Sequence, residues 1–233
     1  MADLTGTRQR AHIVWDWNGT LLHDTDAVVA ASNASFAALG VAPLTLERYR
    51  DLYTLPLATF QERLIGRAPT AAERRLLDET FATQYAALAG GTALAEGAAR
   101  LLADWEAEGH TQSLCSLAGH DILGGLLRRY GIDRHFLRVD GSVAGQPLTS
   151  KAAQMARHLA ALDGVSPADV VVIGDATDDA VAAAHAGARA VLYTGGTHSR
   201  RSLMTAGVPV VDSLAEAVRT AREMTARPVG RTL

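Results

Sequence analysis

Asp16 ends a short apolar run, Ile13-Val14-Trp15, and Trp17-Asn18-Gly19-Thr20 follows at once. A buried strand that hands a carboxylate to a tight turn reads this way. Three more polar residues stand where apolar runs end. Ser116 follows Leu114-Cys115, Asp175 follows Val171-Val172-Ile173-Gly174, and Asp179 lies one helical turn beyond Asp175. Lys151 opens the helical pattern before the last of these runs. It is the only lysine of the chain, in which arginine supplies all the other permanent cations. A bias that removed lysine elsewhere left it here.

Each of these types suits phosphoryl transfer. A carboxylate can attack phosphorus and carry the group covalently. A hard cation such as Mg2+ takes oxygen ligands, here Asp16, Asp175 and a backbone carbonyl at Asn18. Such an ion screens the repulsion between carboxylate and phosphate. Ser116 and Lys151 suit the remaining phosphoryl oxygens as charge develops on them. Asp179 suits the orientation of Lys151 or of a metal-bound water. Singly, each has a plainer use. Ser116 can cap a strand end, and Lys151 can be a solvated helix start. Asp175, Asp178 and Asp179 can complement a helix N-terminus. Their order along the chain argues for a site.

The elements that must position them follow from the apolar pattern. Five short runs read as buried parallel strands: His12–Trp15, Thr111–Cys115, Val170–Ile173, Ala190–Tyr193 and Val208–Val211. They lack clean alternation, which suits strands covered on both faces. Helical spacing appears between them in Gly97–Glu108, Asp121–Tyr130 and Lys151–Leu162. Ser166-Pro167-Ala168-Asp169 has the form of a capping box with Pro at the first helical position. Strand–helix alternation implies an α/β fold with a doubly wound parallel sheet. In such a sheet the polar strand ends meet in one crevice.

The first two strands are far apart in sequence, and the intervening stretch is too long for one crossover helix. Asp24–Leu39, Leu46–Tyr53, Leu57–Ile65 and Ala71–Leu88 read as helices separated by prolines. The expected organisation is a core of residues 1–22 and 92–233 with an inserted α-helical cap at 23–91. Hinges are expected near Leu22–Asp24 and Ala89–Thr92, where Gly90-Gly91 suits the second. The tail after Thr225 shows no pattern.

The bulk properties exclude several classes. A chain of 233 residues, 48% hydrophobic and 20% charged, is ordinary for a globular protein. A net charge of -3 gives no electrostatic case for nucleic acid or an anionic membrane. No apolar stretch approaches a membrane span, and Asp16 interrupts the run that follows Arg8 and Arg10, which argues against a secretory signal. The single cysteine, Cys115, excludes an intrachain disulfide and fits a reducing cytoplasm. Its place inside a strand makes it a small core residue.

Taken together, these motifs resemble those of the haloacid dehalogenase superfamily, in order and over nearly the whole chain. Asp16-Trp17-Asn18-Gly19-Thr20-Leu21 resembles the first motif, Ser116 the second, Lys151 the third, and Gly174-Asp175 with Asp179 the fourth. The helical insert resembles that superfamily's C1-type cap. The resemblance implies a Rossmann-like core, Mg2+ held by Asp16, Asn18, Asp175 and Asp179, and hydrolysis of a small phosphorylated substrate. It also implies phosphate contacts from Gly19, Thr20, Ser116 and Lys151. The layout is most similar to phosphoglycolate-phosphatase-like members. A cap without lysine argues against the phosphonate-cleaving relatives, which use one there. Retained Asp175 and Asp179 argue against the metal-free dehalogenases.

Asn18 departs from the pattern. The superfamily's second aspartate at this position protonates the leaving group and then activates water, and an amide cannot trade a proton this way. Loss of that help costs about 10²–10⁴ in rate. Two readings stay open: a phosphatase that favours good leaving groups, and a catalytically weak phosphate-binding or regulatory module. His23 is one replacement acid to weigh. His120 and His198 are expected beside helix starts. Arg48, Arg50, Arg63 and Arg67 are candidates to meet a second anionic group on the substrate, although singly each suits a solvated surface. Tyr49, Tyr53 and Phe60 are expected in the core of the cap.

Overall fold

The computed structural model describes residues 10–54, 56–143 and 151–226. The chain enters through strand β1 (His12–Trp15) and the short β2 (Leu22–His23). Four helices follow: α1 (Thr25–Ala37), α2 (Leu46–Leu52), α3 (Leu57–Ile65) and α4 (Ala71–Leu88). The chain returns through β3 (Ala93–Leu94), antiparallel to β2. It then runs through α5 (Ala98–Ala107), β4 (Thr111–Gly119), α6 (His120–Arg129), β5 (Val139–Ser142) and α7 (Lys151–Ala160). The last part is β6 (Val170–Gly174), α8 (Thr177–His185), β7 (Arg189–Tyr193), α9 (Arg200–Met204), β8 (Val210–Val211) and α10 (Leu214–Ala226).

The six larger-sheet strands are all parallel, in the order β5-β4-β1-β6-β7-β8. This is the expected Rossmann-like α/β core, with helices over both faces. Side chains alternate between two hydrophobic layers, as the pleat requires. Ile13, Trp15, Leu114, Val171 and Ile173 pack with Leu102 and Trp105 of α5, Leu127 of α6 and Val218 of α10. Val14, Cys115 and Val172 pack on the other face with Met155 of α7, Ala183 of α8 and Leu203 of α9. β1 lies between β4 and β6, so chain direction across the sheet reverses there. That reversal opens a crevice at the strands' C-terminal ends.

Several local expectations need correction. β5 was not foreseen, because Val139-Asp140-Gly141-Ser142 has too few apolar residues to signal an edge strand. Ser166–Asp169 forms only a 3₁₀ turn over Pro167–Asp169 with no side-chain cap bond, since β6 begins at Val170. A full capping box instead starts α4, where Thr70 and Glu73 each satisfy the other's backbone N–H. Gly90-Gly91, the expected second hinge, lies in a 3₁₀ turn over Ala89–Gly91. α10 ends at Ala226, close to where the patternless tail is expected to begin, and the tail from 227 onward lies outside the described residues.

α1–α4 have an apolar cluster of their own, built on Val29, Phe36, Tyr49, Phe60 and Leu77. Phe60 meets Phe36, Tyr49 and Tyr53 edge-on, at ring separations of 5.7, 5.2 and 5.2 Å. Thr45 caps α2, and Gly66 ends α3 with φ 80°, a left-handed turn that glycine adopts without strain.

One buried polar chain runs beneath the sheet. His158 Nδ1 lies 2.8 Å from Asp140 Oδ2, and its Nε2 lies 2.7 Å from Ser113 Oγ. Ser113 Oγ is also 2.8 Å from His12 Nε2, and His12 Nδ1 is 2.9 Å from Thr111 Oγ1. With both rings neutral the protons close in one direction: His158 donates to Asp140, Ser113 to His158, His12 to Ser113, and Thr111 to His12. Burial, then the charges of His158 and Arg10, lower the His12 pKa to about 4. The unfolded chain takes up a proton near pH 6.5 that the native ring refuses. Stability therefore falls as pH drops from 6.5 to 4, by about 3 kcal/mol for this residue. NMR titration of His12 is expected to give a midpoint near 4; a midpoint at or above 6 would contradict the buried neutral ring.

Candidate active site

Asp16, Ser116 and Asp175 reach the crevice from three adjacent strands. Asp16 follows β1, and its N–H bonds Ile173 O at 2.9 Å, the last rung of the β1–β6 ladder. Asp175 follows β6 directly. Ser116 sits inside β4, not at its end as the sequence suggested. β4 continues to Gly119, but its pairing with β1 stops at Leu114 and its register with β5 shifts after Cys115. Ser116 Oγ accepts from Ala118 N–H at 3.2 Å, and Gln154 holds the Ser116 carbonyl at 2.8 Å.

Lys151 is the hub. Its Nζ stands 2.6 Å from Asp16 Oδ1 and 2.5 Å from Asp179 Oδ1, and all three side chains are buried. Burial alone would lower the Lys151 pKa, but the two carboxylates more than offset it and hold the ammonium charged. Carboxylate oxygens of Asp16, Asp175 and Asp179 all lie within 4.8 Å of one another. Burial pushes the Asp16 carboxyl up against the opposing pull of Lys151. Burial, then Asp16 and Asp179, push Asp175 up as well. Three carboxylates with one ammonium leave negative charge that the described side chains do not balance.

Asp175 is held by a residue outside the sequence-based set. Thr197 donates from its N–H at 2.7 Å and from Oγ1 at 2.9 Å to Asp175 Oδ2. Gly196 and Gly19 make this fit possible. A Cβ on Gly196 would collide with the Asp175 carboxylate, and one on Gly19, at φ 70°, would lie 2.6 Å from Asp175 Oδ2. Arg50 fastens the same loop to α2, donating to the carbonyls of Gly196 at 2.7 Å and Gly195 at 3.0 Å.

Asn18 is bonded to groups the sequence did not mark. Its Nδ2 donates to Asp24 Oδ2 at 2.6 Å and to Tyr85 Oη at 2.9 Å. Tyr85, on α4, donates in turn to Asp24 Oδ2 at 2.6 Å. Asp24 Oδ1 accepts from Gly19 N–H at 2.9 Å. Burial and the nearby Asp24 charge push the Tyr85 hydroxyl's pKa up, so it stays protonated.

A cavity of about 450 Å³ opens over Asp16, Asn18, Ser116, Lys151 and Asp175. Gly19, Thr20 and Asp179 are not among its lining residues. The Gly19 N–H is taken by Asp24, and Thr20 Oγ1 is buried without a hydrogen-bond partner. Asp179 supports Lys151 from behind and accepts from Ala176 N–H at 3.0 Å. His23 is exposed and outside the lining. His120 starts α6, where its ring accepts from Gly141 N–H, and buried His198 packs edge-on against Tyr53 at 5.1 Å. Tyr53 itself reaches the cavity wall, beyond the core place expected for it. Cys115 is fully buried, and burial pushes its thiol to about 12, which rules out a thiolate at neutral pH.

Comparison with known proteins agrees with this geometry. Residues 11–187 match the haloacid dehalogenase-like hydrolase family. Phosphoglycolate phosphatase of Synechococcus elongatus is 30% identical over 194 residues, covering 83% of this chain and 88% of that protein. Phosphoglycolate phosphatase of Cereibacter sphaeroides is 28% identical over 188 residues, covering 79% and 85%. A predicted phosphatase from Clostridium acetobutylicum superposes with a TM-score of 0.78 at 17% identity, over 92% of this chain and 99% of that one. The chain belongs to the haloacid dehalogenase-like hydrolase family, and it is an enzyme of that class.

The Asp24 node carries a stability prediction. In Asp24→Asn, the new amide N–H₂ must face either the Asn18 and Tyr85 donors or the Gly19 N–H. The substitution is expected to cost about 2 kcal/mol, read from urea denaturation midpoints. A cost below 0.5 kcal/mol would show that the three bonds do not constrain the fold.

Proposed function

We propose that this enzyme is a Mg2+-dependent phosphomonoesterase that forms an aspartyl-phosphate on Asp16. The observation that carries this reading is the Asp16 carboxylate at the floor of the cavity, paired to Lys151 and beside Asp175. The names of the curated relatives support hydrolysis of a small phosphorylated substrate.

The residues fit a hard divalent cation. Asp16 and Asp175 offer oxygens whose burial disfavours uncompensated charge, and such a cation prefers oxygen ligands. Asn18 would add its backbone carbonyl, and Asp179, with a carboxylate oxygen within 4.8 Å of those of Asp16 and Asp175, would complete the set. When bound, the ion screens carboxylate–phosphate repulsion. Asp16 attacks phosphorus, the bond to the leaving oxygen breaks, and that oxygen keeps the electron pair. Water then attacks the phosphorus of the aspartyl-phosphate and returns Asp16 as a carboxylate with inorganic phosphate. Lys151 and Ser116 hold phosphoryl oxygens through both steps.

Asn18 cannot serve as the acid. Tyr85 and Asp24 are the groups bonded to its amide, and Tyr85 lines the cavity. In the second step the attacking water passes its proton to Tyr85 as Tyr85 passes its own to Asp24. The first step lacks a directly placed carboxylic acid and depends on a good leaving group. The four helices of residues 23–91 act as the cap, closing the site from water through Tyr53, Phe81 and Tyr85. The second reading, a phosphate-binding module with little turnover, is favoured by Asn18 alone.

Release of phosphate from an aryl phosphate is expected to require Mg2+ and to vanish in Asp16→Asn. Phosphate binding without turnover by the wild type would establish the module instead. A leaving-group series should show rates falling steeply toward alkyl phosphates. Asn18→Asp would set two carboxylates at the 2.6 Å contact with Asp24, where one stays protonated. This variant is expected to raise alkyl phosphate turnover about 10²-fold or more. Fast wild-type alkyl turnover with no gain in the variant would remove the role assigned to Asn18.

A further inference from the structure

We infer that the cavity selects phosphoesters whose leaving group is uncharged and apolar, of the size of one aromatic ring, and discriminates against those with a second anion. This deepens the phosphomonoesterase reading and rests on it. The observation is the division of the cavity into a charged floor and an apolar wall. Beyond Asp16 and Lys151 the lining includes Trp17, Val28, Phe81, Ile122 and Leu126, with the Tyr53 and Tyr85 rings. Phe81 and Tyr85 lie nearly parallel on α4, ring centres 5.8 Å apart. A volume of about 450 Å³ is at the small end of ligand sites, enough for a phosphoryl group and one ring.

The charges point the same way. Lys151 is the only cation lining the cavity among the described residues, and Asp16 and Asp179 already engage it. The seven residues that precede Lys151 in the sequence, 144–150, include no lysine, arginine or histidine. The cap arginines that might have met a second anion are elsewhere. Arg50 is bound to the Gly195 and Gly196 carbonyls, Arg63 to the Leu52 carbonyl, and Arg67 to Glu73. None of these, nor Arg48, lines the cavity. The other charged lining residues are Asp16, Asp175 and Asp178, all anions. A substrate carboxylate would lose its water against apolar side chains and face Asp178 without a countercharge. This chain thus departs from the chemistry in its relatives' name, since phosphoglycolate carries a carboxylate.

The test uses matched pairs, so that intrinsic reactivity cannot mimic selection. Phenyl phosphate is compared with 4-carboxyphenyl phosphate, whose leaving group is the more acidic phenol, and propyl phosphate with phosphoglycolate. In parallel, phenylphosphonate and 4-carboxyphenylphosphonate are titrated calorimetrically into the Mg2+-loaded protein. The uncharged member of each pair is expected to be favoured at least 10-fold in kcat/KM and in affinity. Ile122 is 64% exposed, so Ile122→Arg should fold, and it is expected to bring each preference to parity or invert it. Equal or better use of the carboxylated members by the wild type would overturn the inference, as would failure of both phosphonates to bind. An unchanged preference in Ile122→Arg would overturn the assignment of this wall. Selective phosphonate binding without turnover of any ester would sustain the selectivity and overturn the phosphomonoesterase reading.

Discussion

The site is organised around a single buried ammonium. Lys151 stands between Asp16 and Asp179 at hydrogen-bond distance from both. Without it the Asp16 anion would be strongly disfavoured, because burial penalises its charge and Asp179 repels it. The ion triad also ties three elements together. Asp16 closes β1, Lys151 begins α7, and Asp179 sits in the first turn of α8. Their convergence requires β1 to lie beside β6, as it does in the observed strand order. The residual negative charge of the cluster then makes a divalent cation the natural complement.

A second set of contacts joins the helices between β2 and β3 to this core. Tyr85 reaches down from α4 to the Asn18 amide and the Asp24 carboxylate. Arg50 of α2 holds the Gly195-Gly196 carbonyls, and the next residue, Thr197, holds Asp175. One arginine is thereby connected to a carboxylate it never touches. These bonds tie the helices between β2 and β3 to the loops that carry Asn18 and hold Asp175, so the cavity's wall and floor are mechanically coupled.

Much of the framework was legible from local pattern. β1, β6 and β7 start and stop within one residue of the anticipated strands, and β4 starts where anticipated but runs four residues further, because buried parallel strands need uninterrupted apolar side chains. The fifth, foreseen from Val208, begins at Val210. α3 and α4 match their expected limits, bounded by Pro56, Gly66 and Thr70. What escaped had weak local signals. β5 alternates a valine with polar and glycine residues, and its identity as a strand comes from pairing with β4. Arg50 looked like a ligand for substrate charge, and only the fold shows its guanidinium spent on backbone carbonyls.

The sequence by itself determined which residues can do chemistry and where they leave the sheet. An acid after an apolar run, a lone lysine opening a helix, and an asparagine in place of an acid are all short-range facts. The tertiary structure decided whom those residues meet. Asn18 finds Tyr85 across 67 positions, and Arg50 finds Gly196 across 146. The same holds for the cavity wall, drawn from β1's turn, α1, α4 and α6. Apolar residues at helical spacing look alike in sequence whether they face a core or a ligand. Only packing distinguishes them, because burial and charge balance depend on neighbours that no local pattern records.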